Sequence, residues 1–221
     1  MRFRIYFLFM RLPVLPLLYA RIRLPLRAGA LRRSTELVID GFPRSANSYA
    51  LVAIQQSNPD VRICSHLHSP RAIKVAARRQ LPILLLIRDP DEACASLVQL
   101  MPGLRLQSAY RIYWRYYESI VRHRPACQVA SFSEVVGSLR DVVSALNARF
   151  GIALNVSTRS DDSDIFAAVD QRAALFPHGD DVSNVVARPS DARKSFNEID
   201  EGDTPDRRRA KAIYRLMAPG Q

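Results

Sequence analysis

From Thr35 onward, short apolar runs alternate with stretches whose apolar residues recur at helical spacing. Glu36–Asp40 is a brief apolar run, followed by a turn at Gly41-Phe42-Pro43 and a helical stretch over Ser48–Gln56. Asn58-Pro59-Asp60 breaks that helix, and Val61–Leu67 reads as a second strand. Pro70–Gln80 is helical and basic. Leu81–Ile87 is the most apolar run of the chain, with the unbroken hydrophobicity of a strand buried on both faces. Asp91–Leu100 is helical with an acidic first turn, as the helix dipole favours. A longer helix over Ser108–Arg124, rich in Tyr and Arg, carries the only tryptophan, Trp114. Gln128–Phe132 reads as another strand, and Ser133 as the cap of a helix that runs to Phe150 and stops at Gly151.

Strands separated by helices predict an α/β domain in three layers, a central mostly parallel sheet flanked by helices, with right-handed crossovers. At 221 residues the chain suits one such domain, assigned to 34–221, behind an N-terminal segment 1–33. Ligands of these sheets bind beyond the carboxyl ends of the strands. Gly41–Ser48, His66 and Arg88 all fall at predicted strand ends, which makes them the first candidates for function.

The net charge of +11 changes this picture less than its size suggests. Residues 1–33 hold eight arginines (Arg2, Arg4, Arg11, Arg21, Arg23, Arg27, Arg32 and Arg33) and no acid, which leaves about +3 for the rest. A mildly basic body suits an enzyme of phosphate-rich small molecules as well as it suits RNA, though no specific nucleic-acid partner is expected. In segment 1–33 the longest uncharged stretch, Leu12–Ala20, is nine residues long and holds Pro13 and Pro16. That falls well short of the roughly 20 apolar residues of a spanning helix. Interleaved Arg, Phe, Leu and Tyr suit an anionic membrane surface, or packing on the domain or a partner. Cys64, Cys94 and Cys127 form no CxxC and no Cys/His cluster, so they read as buried thiols, with neither disulfides nor a metal site expected.

Gly41-Phe-Pro-Arg-Ser-Ala-Asn-Ser48 joins a strand to a helix, where backbone N–H groups and the helix dipole favour an anion. Its spacing echoes the G-x4-G-K-[ST] loop, with Ala46 and Asn47 in place of Gly and Lys and with Arg44 able to supply the missing charge. The segment resembles the 5′-phosphosulfate loop of PAPS-dependent sulfotransferases, close to G-x-P-[KR]-S-G-[TN]-[ST]. The resemblance implies a P-loop-type domain and 3′-phosphoadenosine 5′-phosphosulfate (PAPS) as donor, without a metal. It places Arg44 on the phosphosulfate, as a catalytic group steadying the leaving group. Ser45, Ala46, Asn47 and Ser48 would lie along the 5′-phosphate, and Tyr49 against adenine. Ala46 departs from the usual glycine.

Ile87-Arg-Asp-Pro90 with Ser96 is similar to the family's 3′-phosphate motif, R-[DN]-P-x5-S. A charged Arg88 directly after an apolar strand needs a partner, which a phosphate gripped by two hydrogen bonds provides; the plainer alternative is an ion pair with Asp89 or Asp91. Arg193-Lys194 matches the family's C-terminal Arg-Lys pair, with Ser195 where glycine usually follows, and is a weaker candidate for the same phosphate.

Sulfuryl transfer needs a base for the acceptor, and a histidine suits it. Ser65-His66-Leu67 resembles the Thr-His-Leu of cytosolic sulfotransferases, which assigns the base to His66. His68, on the same side of a continued strand, is the alternative. The stretch from Arg44 to Ser65 is shorter than in typical cytosolic members, so an acceptor-binding insertion is expected to be missing. The expected activity is sulfuryl transfer to a hydroxyl or amine of a small-molecule or carbohydrate acceptor, in the cytoplasm and peripheral at the membrane through 1–33. Two other readings compete: a P-loop kinase using Asp89 toward magnesium, and a non-catalytic protein binding membrane or nucleic acid through its basic N-terminus.

Overall fold

The computed structural model describes residues 31–101, 103–156, 165, 167 and 202–220. Most of segment 1–33, and Arg193-Lys194, lie outside the described residues. Four strands, β1 (Leu37–Gly41), β2 (Ile63–Ser65), β3 (Ile83–Ile87) and β4 (Gln128–Ser131), form one sheet in the order β2-β1-β3-β4. Every pairing is parallel, with Leu37 opposite Ile63, Asp40 opposite Leu85 and Ile87 opposite Ser131.

Helices α1 (Asn47–Ser57), α2 (Pro70–Arg78), α3 (Pro90–Leu100) and α4 (Leu106–Glu118) precede β4, and α5 (Phe132–Gly137), α6 (Leu139–Phe150) and α7 (Pro205–Met217) follow it. Side chains of a strand alternate between faces, and each face of this sheet is covered. Val38, Ile83, Leu85, Ile87 and Val129 pack with residues of α2, α3, α4 and α7. Leu37, Ile39, Leu84, Leu86 and Ala130 pack on the other side with residues of α1 and α6. The result is the expected three-layer α/β architecture, and β3, central and covered on both sides, is the all-apolar strand for that reason.

Several boundaries differ from the sequence reading. The strand expected over Val61–Leu67 stops at Ser65, because His66 turns into the left-handed region with φ of 59°. The helix expected to Arg124 ends at Glu118, and a 3₁₀ turn over Val121–Ala126 contains Pro125, which cannot continue an α-helix. The helix expected from Ser133 to Phe150 is two helices. Its cap is Ser131, which accepts from the Glu134 amide while the Glu134 carboxylate accepts from the Ser131 amide. The break falls at Ser138, just after Gly137, and Gly151 ends α6 in the left-handed conformation as expected.

Helix α7 closes the fold over α3 and α4. Asp206 accepts from Arg111 Nη2 at 2.8 Å and from Trp114 Nε1 at 2.9 Å, and Arg207 and Lys211 both reach Asp91. No helix among the described residues is long and apolar enough to cross a membrane. The three cysteines are free and buried, and burial pushes each thiol up.

Candidate anion-binding site

The loop between β1 and α1 is held by contacts that its sequence does not announce. A side chain at Gly41 would put its Cβ 2.2 Å from the Leu86 carbonyl oxygen, so only glycine lets β1 pass this close to β3. The buried hydroxyl of Tyr117, on α4, accepts from the Phe42 amide at 3.2 Å and donates to the Leu86 carbonyl at 2.7 Å. Asn47 Nδ2 donates to the Phe42 carbonyl at 3.1 Å, closing the loop onto its own helix. Arg44 and Ala46 both have positive φ, 71° and 66°, and α1 begins with no side-chain cap. Alternating left-handed residues ahead of an uncapped helix turn successive amides toward one point, a concavity suited to an anion.

Two cations meet there. Arg44 Nε donates to Ser96 Oγ at 2.8 Å, which joins the loop to the first turns of α3. Arg88, at the end of β3, donates from Nη1 to the Arg44 carbonyl at 3.2 Å and from Nε to Glu92 Oε2 at 3.0 Å. Its guanidinium carbon stands 4.0 Å from the Phe132 ring centroid, and Tyr113 donates to its backbone carbonyl at 2.6 Å. Burial, and then the charge of Arg88, lower Arg44 to about 10, so the pair repels and neither charge is well solvated. The anticipated ion pair of Arg88 with Asp89 or Asp91 is formed instead with Glu92. Asp89 caps α3, accepting from the amides of Asp91 and Glu92, which spends the carboxylate that a kinase would direct at magnesium.

The histidines part company. His66 is exposed, with Nε2 2.9 Å from Ser48 Oγ and Nδ1 2.9 Å from Ser65 Oγ, so a serine orients each ring nitrogen. His68 does not continue a strand on the same side; its φ is 44° and its ring stands 5.7 Å from that of His66, edge to face. His68 Nδ1 lies 2.8 Å from the Gly41 carbonyl, and its amide donates to buried Asp40, whose carboxyl burial holds above the usual range. His68 therefore ties the β2–α2 connection to the loop, and His66 faces solvent.

Two contact groups thus form on the loop, one of Arg44 with Arg88 and Ser96 and the other of Ser48 with His66 and Ser65. Ser45 and Asn47 are buried in the loop. Tyr49 is only 9% exposed and belongs to the apolar layer on one face of the sheet, which leaves little of it to offer a nucleotide base. The sequence reading missed Tyr113, Tyr117 and Glu92. The Tyr-rich face of α4 was the available signal, but not what those hydroxyls bind.

No family model and no curated protein matches this chain. Among solved structures, the mouse sulfotransferase SULT7A1 complexed with PAP matches with a TM-score of 0.44 and 11% identity, over 86% of each chain. At that distance the likeness says nothing of chemistry.

Proposed function

We propose that this chain binds PAPS and transfers its sulfuryl group to a hydroxyl or amine of a small-molecule or carbohydrate acceptor. The observation that carries this is the meeting of Arg44 and Arg88, two mutually repelling guanidiniums, at an uncapped helix start. Glu92 balances one of the two charges, and a strongly charged anion would balance the excess that remains. The residues also fit a donor with two phosphate ends. Arg44 comes from the loop that would meet the 5′ end, and Arg88 and Ser96 come from the motif that would meet the 3′-phosphate.

The donor supplies a sulfuryl group already activated on a phosphate. Arg44 steadies the negative charge that grows on the departing phosphate oxygen, and Ser96 holds Arg44 in place for it. Ser45 and Asn47, with buried side chains, serve the 5′-phosphate through their amides. Arg88 takes the 3′-phosphate, since only two of its five N–H groups have partners among the described residues. His66, oriented by Ser65, takes the acceptor's proton at Nε2, the nitrogen that faces Ser48 at the start of α1.

Calorimetric titration with PAP, the 3′,5′-bisphosphate product, beside ATP tests this in wild type and Arg88→Ala. The expected result is PAP binding by wild type, much weaker ATP binding for want of a 3′-phosphate, and loss of most PAP affinity in Arg88→Ala. A folded wild-type sample that does not bind PAP overturns the proposal.

A further inference from the structure

Arg88 is covered. Its side chain is only 4% exposed, although it carries the charge assigned to the ligand. One part of the cover is Phe132, the first residue of α5, whose ring lies against the guanidinium. The capping box of Ser131 and Glu134 fixes that residue's backbone. The other part is Glu92, in the first turn of α3, whose carboxylate accepts from Arg88 Nε. Unlike the arginine it holds, Glu92 is 49% exposed. Its backbone is set by Asp89, which accepts from the Glu92 amide, so only the side chain is free to swing.

We infer that Glu92 is a built-in rival of the ligand for Arg88, an internal carboxylate that occupies the guanidinium until a phosphate displaces it. This rests on the donor reading above and adds a specificity-determining residue to it. Burying the charge of Arg88 without a counter-ion costs the free protein stability, and Glu92 supplies that counter-ion. Because the acid is half in water, it regains most of its solvation on release, and the incoming phosphate replaces it as the counter-ion of the buried arginine. A doubly charged phosphate with three oxygens outcompetes one carboxylate, whereas a singly charged anion gains little by the exchange. The device therefore biases the site toward a terminal phosphate monoester and against abundant small monoanions. No bond is made or broken; the exchange is of one ion pair for another.

Titration of Glu92→Gln with PAP and with AMP, which lacks the 3′-phosphate, tests the inference. Glutamine keeps an acceptor near Arg88 Nε and removes the competing charge. The expected result is PAP binding about three- to fivefold tighter than wild type, the upper range of a pair with one partner in water, with AMP binding unchanged. The free variant should melt below wild type while gaining more from saturating PAP. Unchanged or weaker PAP binding overturns the inference, since a carboxylate that only positions Arg88 would weaken binding when removed. Equal tightening of AMP also overturns it, because the effect would then be diffuse charge. If the glutamine variant does not fold, Glu92→Asp keeps the charge at the helix start but draws it back from Arg88. The same direction is expected, and unchanged or weaker PAP binding again overturns it. Failure of wild type to bind PAP at all defeats the donor reading and this one together. Binding that is lost in Arg88→Ala but not tightened in Glu92→Gln defeats this one alone.

Discussion

Arg44 Nε donates to Ser96 Oγ across 52 positions of sequence, and that bond joins the two halves of the candidate site. Arg44 belongs to the loop after β1, and Ser96 to the second turn of α3 behind β3. Ser96 is buried, so its hydroxyl has a fixed position, and Arg44 inherits one. The cation is thereby aimed before any ligand arrives, and it does not have to be ordered on binding.

Ser96→Ala should leave the fold intact and weaken PAP binding by about tenfold, the scale of one hydrogen bond to a charged group. Titration calorimetry reads the affinity, and far-ultraviolet circular dichroism with a melting curve reads the fold. Wild-type affinity in a folded variant would mean that Arg44 is aimed by other contacts.

The two histidines should separate cleanly. His66→Asn is expected to bind PAP as wild type does and to lose about 100-fold or more in transfer from labelled PAPS to a responsive acceptor, the usual scale for a general base. His68→Ala is expected to lower the melting temperature, because it strands the Gly41 carbonyl and removes one of the groups facing Asp40. Full transfer activity in His66→Asn would remove it as the base.

Tyr117→Phe should cost about 1–3 kcal/mol of stability, since the Phe42 amide and the Leu86 carbonyl both lose a buried partner. Denaturant unfolding measures it. The same variant should weaken PAP binding, because the loop backbone hangs from that hydroxyl. A loss of stability with unchanged PAP affinity would confine Tyr117 to the core.

Asp91 sets an acid limit. Burial pushes its carboxyl up, but hydrogen bonds from Arg207, Tyr110 and Lys211 outweigh this and hold it at about 2. A carboxyl with a depressed folded-state value stabilises the fold fully above its unfolded value near 4, and less as pH falls toward 2. Asp40 and Asp89, which burial raises, act in the opposite sense. Unfolding curves between pH 6 and pH 2 should therefore show Asp91→Asn less stable than wild type at pH 6, with the gap closing toward pH 2. A gap that stays constant with pH would mean that the Arg207 and Lys211 contacts add no charge-dependent stability.

How much of this was legible in the sequence follows from how far apart the interacting residues lie. The apolar run at Ile83–Ile87, the turn at Gly41-Phe-Pro and the stop at Gly151 are local patterns, fixed by side-chain period and backbone sterics within a few residues. So is the placing of Gly41–Ser48, His66 and Arg88 at strand ends, because parallel strands alternating with helices put every such end on one edge of the sheet. The helix break at Ser138 is also local, but the Ser131–Glu134 box that starts the shorter helix competes with an equally plausible start at Ser133.

What the tertiary structure alone decided is which of these residues meet. His66 and His68 look equivalent on an extended strand, and the left-handed turn at His66 sends one to solvent and the other to the Gly41 carbonyl. Arg88 has acids at 89, 91 and 92, and it pairs with Glu92 in the first turn of α3, while Asp89 turns back to cap α3 and Asp91 goes to α7. Asp206 finds Arg111 and Trp114 more than 90 positions away. The chain by itself determined the alternation of elements and the edge on which chemistry would gather. Only packing in three dimensions decided the pairings there, because the energy of a buried charge depends on neighbours that no short stretch of sequence contains.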